Sequence, residues 1–430
     1  MTQNQQPSQQ SANTNEAEGV NALDFTGNDL GQMINNAFEQ GNQAVYVPNR
    51  AGLEIKTTIK LRHASTLQYS NRYPEHIYCK TKGKPVHEVM GGIRHWRIRD
   101  GIFSGDGRDT PSCFLLCGRA DNVEGGGQCG DTTALSGVQT SENWGHSVIT
   151  NIAGEILTFE NCHLWMTGQG DFAWNKPRAT VMIANQDYWG LPSAYYPPNK
   201  KSGSCSANVF QNCDIRCGMG NNSVFLLKGQ VEDVTIVPSY LNSQGRAHIV
   251  IEPGETTPGN WVSPRVIRLE PGGRTECNGG PVNPLVLIDG LGQQNAGVYH
   301  LHIGPIGIFT SDPVIKTVNG GIVYWLSFRE GSHLEHISTL LEHKTGTLSW
   351  ADIVSRHDVR VDCGTQAIED SDIHIKGEVI SGATYRSLIR AKNVMDFNPQ
   401  AMEADAPVSD AGDANDKASA VSKPEIRAVE

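Results

Sequence analysis

The sequence predicts an all-β fold, a single-stranded right-handed parallel β-helix (solenoid) with an N-terminal capping helix. Three observations predict it. One amphipathic segment near residue 30 is followed by short alternating strands up to about residue 395. A short phrase of constant chemical form recurs along those strands. The 46 glycines and 21 prolines interrupt the chain throughout, which favours many short strands over long helices.

The helix is predicted in the segment NDLGQMINNAFEQGN, which begins at Asn28. Asn28 is predicted as its N-cap and Gly41 as its stop. Because the open end of a solenoid exposes unpaired strand edges, this helix is expected to cover the N-terminal end. Its apolar residues recur with the spacing of one buried face, and they are Leu30, Met33, Ile34, Ala37 and Phe38.

The recurring phrase reads FENCHL at 159–164 and FQNCDI at 210–215. Its six successive positions hold an apolar residue, any residue, Asn or Asp, a small residue, a polar residue and an apolar residue. Asn and Asp tolerate the left-handed backbone of a sharp bend between strands, and the small residue is expected to turn inward. Looser copies begin at Ile98, Val231, Val354 and Ile368.

The spacing of the phrase predicts the size of a coil. A step of 21 residues, from 210 to 231, fits one coil, and the step of 51 residues fits two coils, the second enlarged by an insertion. Roughly 24 residues per coil predict about 14 coils. The predicted organisation is a disordered polar tail (1–20), the capping helix and first strands (21–62), the β-helix (63–396) and a disordered acidic tail (397–430).

Charge and hydropathy argue against several classes of protein. The net charge of -11 argues against nucleic acid as the partner, because phosphate binding needs a clustered basic surface. No apolar run approaches about 18 residues, so no membrane insertion is predicted. The first residues lack a basic and apolar leader, so no signal peptide is predicted and the ten cysteines are expected to be reduced. No metal or cofactor is predicted, because the cysteines lack the paired spacing of zinc sites.

The run GNDLGQMINNAFEQGNQAVYVPNRAGLEIKTTIKL, residues 27–61, resembles the start of pectate-lyase-like β-helix proteins of bacteriophage virions, the tailspikes and their relatives. In that family a capping helix and a strand of the VYVP type precede the first coils, and the resemblance extends over about residues 22–395. It implies a homotrimer that binds, and often cleaves, bacterial surface polysaccharide.

The resemblance also implies a virion protein that is made in the bacterial cytoplasm and contacts other virion proteins through its tails. Tailspikes usually carry an attachment domain and a trimerisation module, and here the sequence has only a short polar segment and an acidic tail in those places. The calcium-binding and arginine motifs of pectate lyases are not recognisable. The alternative is therefore a non-enzymatic capsid or tail decoration protein.

A sugar-binding site is predicted in residues 165–196, which are rich in aromatic side chains. Aromatic faces stack on the apolar faces of pyranose rings, and inserted loops often carry function. The same rings would suit a buried interface between subunits, and both interpretations stay open. The seven residues are Trp165, Phe172, Trp174, Tyr188, Trp189, Tyr195 and Tyr196.

Cleavage of a glycan by hydrolysis would need two carboxyl groups, about 5 Å apart for retention or about 6.5–9.5 Å apart for inversion of configuration. Asp171 and Asp187 are predicted as the acid and the base, with Asp214 or Glu160 in reserve. A lyase would instead need a base and a cation beside a uronate. For each carboxylate a solvated loop acid is the favoured interpretation, so the sequence leaves open whether the chain is an enzyme.

Strand alternation predicts the direction of several histidines. His248, His300 and His302 each lie between apolar residues of a strand. If those apolar residues face inward, the three histidines face outward.

Overall fold

The computed structural model describes the chain from residue 19 to residue 377. The following positions within that range lie outside the description: 72, 91, 108–109, 118–131, 142, 168–177, 189–204, 219, 221, 278–282, 294–295, 310, 312, 330–333, 336, 338, 344–345, 347, 356–359 and 364–371. The predicted tails fall almost entirely outside the described residues.

The described chain is a parallel β-helix, as predicted, and it is nearly all β-strand. Each full coil contributes one strand to each of three faces, which we call face 1, face 2 and face 3 in chain order. Faces 1 and 2 form one 21-stranded sheet, because β17 (Asn208–Cys217) and β19 (Asp233–Ser243) run through both of them. Face 3 is a separate 11-stranded sheet.

The strand bounds are as follows. Face 1 contains β1 (Val20–Asn21), β2 (Ala44–Val47), β5 (Thr66–Tyr69), β8 (Arg97–Arg99), β11 (Thr132–Ser136), β14 (Leu157–Glu160), the first halves of β17 and β19, β23 (Val266–Leu269), β26 (Gly297–Ile303), β29 (Ile322–Arg329), β32 (Leu348–Ser355) and β34 (Asp372–Gly377). Face 2 contains β3 (Glu54–Ile55), β6 (Ile77–Cys79), β9 (Ile102–Gly105), β12 (Gln139–Thr140), β15 (His163–Met166), the second halves of β17 and β19, β24 (Arg274–Glu276), β27 (Gly307–Phe309) and β30 (Leu334–Glu335). Face 3 contains β4 (Ile59–Lys60), β7 (His87–Val89), β10 (Ser112–Cys117), β13 (Ser147–Ile152), β16 (Arg178–Ala184), β18 (Asn222–Lys228), β20 (Ala247–Glu252), β25 (Val286–Asp289), β28 (Ile315–Val318), β31 (Thr339–His343) and β33 (Arg360–Cys363). An antiparallel hairpin, β21 (Gly254–Thr257) and β22 (Asn260–Val262), projects after β20.

The predicted helix is α1 (Leu30–Glu39), which follows a short 3₁₀ helix (Ala22–Asp24) and packs on the first coil. Its N-cap is Asp29, so the prediction of Asn28 is wrong by one residue. Asp29 Oδ1 accepts the Gly31 N–H at 2.8 Å, and Asp29 Oδ2 accepts the hydroxyl of Thr57 at 2.7 Å. The carboxylate therefore caps the helix and also ties it to the first coil, which an amide at position 28 does not do.

The recurring phrase forms the corner between face 1 and face 2. Asn161 and Asn212 have φ angles of 52° and 53°, which is the left-handed conformation predicted for this position. The Asn212 side-chain amide donates to Asn161 Oδ1 at 2.7 Å. The small residues that follow, Cys162 and Cys213, are 2% and 1% exposed, so they turn inward as predicted.

The predicted period is wrong at this corner. Phe159 pairs directly with Phe210, and their rings stack with centroids 4.4 Å apart. The step of 51 residues is therefore one coil, enlarged by the chain between β16 and β17, rather than two coils. Phe210 pairs in turn with Ile236, which places the copy at Val231 five residues too early. Val231 instead bridges to Cys205 before face 1, where an apolar residue is also needed.

The two weakest copies of the phrase do not mark this corner in the described chain. Phe328 lies in the same inward row as Phe210, and it pairs with Ile353. The first residue of the phrase should therefore be Ile353, and the copy that begins at Val354 is displaced by one position. The copy at Ile368 lies outside the described residues.

The hydrophobic core fills the inside of the coils. Phe210 contacts Phe225 of face 3 edge to face at 5.0 Å, in addition to its stack with Phe159. Burial of each such side chain contributes about 1.5–3 kcal/mol.

His248 is also completely buried, so the prediction that it faces outward is wrong. It lies at the start of β20, where strict alternation has not begun, and its Nε2 contacts the Glu276 carbonyl at 2.8 Å.

Candidate functional site

The described residues contain an open groove on the outside of face 2, with a volume of about 560 Å³. We call it the face-2 groove. It crosses β17, β19, β24 and β27, which belong to four successive coils. Its lining residues are Asp214, Arg216, Ser239, Tyr240, Gly273, Arg274, Gly307 and Phe309.

The register of the parallel strands assembles the groove from residues far apart in sequence. Asp214 pairs with Tyr240, Tyr240 with Arg274, and Arg274 with Gly307, which makes one outward row along the solenoid axis. Neighbouring strands lie about 4.8 Å apart, so each side chain contacts the next coil. Gly307 leaves the end of this row open beside Phe309, because a Cβ there would stand 3.1 Å from the Phe309 ring.

Two ion pairs fix the polar groups of the groove. Arg216 binds Asp214 in a bidentate manner, with Nε donating to Oδ1 at 2.8 Å and Nη2 to Oδ2 at 2.6 Å. Arg274 Nε contacts Glu276 Oε1 at 2.8 Å, and the Tyr240 hydroxyl donates to Glu276 Oε2 at 2.7 Å. The hydrogen bonds that Arg216 donates to Asp214 raise the pKa of Arg216. All four carboxylate oxygens therefore already accept a hydrogen bond.

Aromatic rings lie between these charged groups. The guanidinium carbons of Arg216 and Arg274 lie 4.9 Å and 5.4 Å from the centroid of the Tyr240 ring. Arg274 also lies 5.9 Å from the centroid of Phe309. Each such contact contributes about 0.5–1 kcal/mol at a partly exposed site. The rings and guanidinium groups thus hold one another in place before any ligand binds.

One predicted carboxylate, Asp214, lines this groove, and one predicted aromatic residue, Trp165, lies one coil before it. Trp165 pairs with Arg216, and His163 pairs with Asp214, one coil before the groove. His163 Nε2 lies 3.8 Å from Asp214 Oδ2. Burial lowers the pKa of His163, an effect that the Asp214 carboxylate opposes. His163 therefore extends the outward row of Asp214 and Tyr240 toward the N-terminal end, and Trp165 extends the neighbouring row that contains Arg216.

Asp187 and Tyr188 lie elsewhere, after β16 at the end of face 3. The Tyr188 hydroxyl donates to Asn185 Oδ1 at 2.7 Å, and burial raises the pKa of Tyr188. Its ring packs so closely on Gly254 that a Cβ at that glycine would overlap it. Asp187 and Asp214 are thus on different faces, and the structure does not bring them together as an acid and base pair.

The remaining predicted residues either lie away from the groove or fall outside the described part of the chain. Glu160 ends β14 on face 1. Six residues lie outside the described part of the chain: Asp171, Phe172, Trp174, Trp189, Tyr195 and Tyr196.

Sequence reasoning missed most of the groove, namely Arg216, Tyr240, Arg274, Glu276 and Phe309. The available signal was the alternation in four short stretches, DIR, YLN, RTE and GIF, which begin at residues 214, 240, 274 and 307. Their spacing is irregular because the intervening loops differ in length. They could only be aligned once the pairing of the coils was known.

The described residues contain no cluster of three or more His, Cys, Asp or Glu side chains that could hold a metal ion. Among the helices of the described chain, none is long and apolar enough to cross a membrane.

Comparison with known proteins gives similarity in structure alone. No protein-family model and no curated protein matches the chain. An alginate lyase from Paenibacillus is similar over 74% of this chain and 95% of its own, with 12% identity and a TM-score of 0.44. PfbA, a surface adhesin of Streptococcus pneumoniae, is similar over 87% of this chain and 96% of its own, with 11% identity and a TM-score of 0.40.

The catalytic domain of an α-1,3-glucanase, solved with tetrasaccharides, is similar over 91% of this chain and 72% of its own, with 12% identity and a TM-score of 0.37. At this level of similarity, no activity, ligand or partner is transferred from these proteins to the chain.

Proposed function

We propose that the chain binds a polysaccharide and that the face-2 groove holds one of its sugar residues. The observation that carries this proposal is the arrangement of Tyr240 and Phe309 among the ion-paired Arg216 and Arg274. Aromatic rings contact the apolar face of a sugar, and fixed planar hydrogen-bonding groups orient its hydroxyls. An open groove on a rigid sheet also lets a long chain enter from the side.

The groove is better suited to binding than to cleavage. The carboxylates at the groove are Asp214 and Glu276, and both oxygens of each already have an arginine or tyrosine partner. A general acid needs a carboxyl oxygen that carries a proton to the glycosidic oxygen. The two arginines also balance the two carboxylates, so a neutral sugar residue fits the groove better than a polyanion.

We further propose the tailspike-like role that the sequence resemblance implies, a homotrimeric bacteriophage virion protein that binds host surface polysaccharide. Support for contacts between subunits comes from face 1. Tyr299 and Tyr324 stack with centroids 4.8 Å apart, and the Trp325 side chain beside them is 49% exposed. Large exposed rings of this kind are common at interfaces, and they also favour the alternative of a virion decoration protein.

Affinity electrophoresis tests the binding proposal. The chain and its Tyr240→Ala and Arg274→Ala variants would migrate through gels containing purified bacterial capsular polysaccharide, lipopolysaccharide O-chain or dextran. The matched control is Arg268→Ala, which breaks an ion pair with Asp233 on face 1. We expect retardation of the parent and of the control. The two groove variants should lose at least about tenfold in affinity, because each substitution removes a contact with the sugar and a loss of about 1.4 kcal/mol in binding free energy is tenfold in affinity.

Equal retardation of all four proteins in every gel would refute the groove as the binding site. Release of reducing ends or of an unsaturated product, measured in parallel, would show that the chain cleaves the glycan and would overturn the preference for binding alone.

A further inference from the structure

Two thiols meet at the corner between faces 1 and 2, just behind the face-2 groove. Cys162 and Cys213 follow the two paired asparagines of the recurring phrase, and each precedes a residue on the outside of face 2. Both are free thiols and both are buried. Glu160 pairs with Gln211 and His163 pairs with Asp214 on either side of them, so the two thiols occupy matching positions in adjacent coils. Cys213 Sγ also donates to the Phe159 carbonyl of the neighbouring coil at 3.4 Å.

The geometry of adjacent coils suits a covalent link at this corner. Neighbouring strands lie about 4.8 Å apart, and a disulfide requires a Cα separation of about 4.4–6.8 Å. The Asp214 N–H donates to the Cys162 carbonyl at 2.9 Å, which locks the two corners in register. The link therefore needs movement of the two side chains rather than of the coils.

The chemistry of the two sulfurs differs. The interaction with Cys162 lowers the pKa of Cys213, whereas the interaction with Cys213 together with burial raises the pKa of Cys162. The thiolate is the reactive form of cysteine, so Cys213 is the better nucleophile and Cys162 the resolving thiol.

We propose that Cys162 and Cys213 form an intramolecular disulfide when the protein meets a peroxide. The Cys213 thiolate attacks one oxygen of hydrogen peroxide, the O–O bond breaks, and Cys213 becomes a sulfenic acid. The Cys162 sulfur then attacks the Cys213 sulfur, the S–O bond breaks, and water leaves. Overall two thiols lose two electrons and two protons, and one peroxide becomes two waters.

The disulfide would close a loop of 51 residues that contains the enlarged coil. It would also fix the corners that carry His163 and Asp214 beside the groove. In the chain-entropy account, closing a loop of this length raises the melting temperature of a protein of this size by about 5 °C.

The test is oxidation of the intact chain with hydrogen peroxide, followed by alkylation and non-reducing peptide mapping with trypsin and chymotrypsin. We expect one linked peptide that joins Cys162 to Cys213, and a rise in melting temperature that dithiothreitol reverses. Cys217 and Cys277 provide a control within the same molecule. They lie in one inward row but two coils apart, with Ser243 between them, so both should remain open to alkylation.

Two results would overturn the proposal. One is alkylation of Cys162 and Cys213 in the same proportion as Cys217 and Cys277 after oxidation. The other is a disulfide that joins either residue to a different cysteine. The Cys162→Ser variant should instead carry an unresolved Cys213 oxidation product and gain no thermal stability, and if this variant does not fold, the mapping of the parent chain decides alone.

Discussion

Acidification from pH 7 to pH 4 should destabilise the chain steeply, because His87, His248 and His343 are buried in the neutral form. Burial lowers the pKa of His87 to about 3 and those of His248 and His343 to about 4, against an ordinary value of 6.5. His87 is also held by the Tyr69 hydroxyl at 2.8 Å and stacks on Phe114. Within the described part of the chain, the hydrogen-bond partners of the three rings are hydroxyl and carbonyl groups and include no carboxylate.

The direction in which stability changes with pH follows from the number of protons that each state binds. In the unfolded chain these histidines take up protons near pH 6.5, whereas in the folded chain they do so only near pH 3–4. The unfolded state therefore binds more protons between these limits, and stability falls as the pH falls. Each histidine contributes about 1.4 kcal/mol per pH unit, so the three together contribute a slope of about 4 kcal/mol per unit and a total loss on the order of 10 kcal/mol.

The assay is urea unfolding followed by tryptophan fluorescence at pH 7, 6, 5 and 4. The parent chain should lose stability with at least the slope given above, and His248→Asn should lose about 1.4 kcal/mol less per pH unit because one titrating group is gone. His63→Asn, at an exposed position, is the matched control and should keep the parent slope. A stability that is level between pH 7 and pH 4, or equal slopes for the parent and His248→Asn, would refute the reasoning.

Three further substitutions test the fold, each by the change in the free energy of urea unfolding at pH 7. Asp29→Ala removes the N-cap and its bond to the first coil and should cost about 2 kcal/mol, whereas Asp29→Asn should cost less. Phe210→Ala empties a site between two rings and should cost about 3–5 kcal/mol; a loss under about 1 kcal/mol would contradict the packing. Asn212→Ala should cost about 1–2 kcal/mol because alanine resists a φ of 53°, and Asn212→Gly should be the more stable of the two variants.

Local features of the fold were accessible from the sequence. The spacing of Leu30, Ile34 and Phe38 predicted the capping helix, because a helical face depends only on residues within a few turns. The left-handed corner at Asn161 and Asn212 was accessible for a similar reason, since it depends on the tolerance of single residues. The N-cap was missed by one residue, because Asp29 is selected by a contact with the distant Thr57.

The register between successive coils could not be predicted from the sequence. Phe159 and Phe210 are 51 residues apart and stack directly, whereas Phe210 and Ile236 are 26 apart and also pair directly. Coils of such unequal length give no constant period, so the copy at Val231 was aligned with the wrong partner. The groove depends on this register, and of its lining residues only Asp214 was among the predicted site residues.

The position of the groove follows from where the outward rows of face 2 change character. Before the groove, the outward row holds His163; within the groove, Asp214, Tyr240 and Arg274 follow, and Gly307 then has no side chain to continue the row. A β-helix with bulky side chains at every coil would present a flat, filled surface. The depression therefore arises because Gly307 pairs with Arg274, whose side chain is held by its ion pair with Glu276. A larger side chain at position 307 should close the groove without affecting the core.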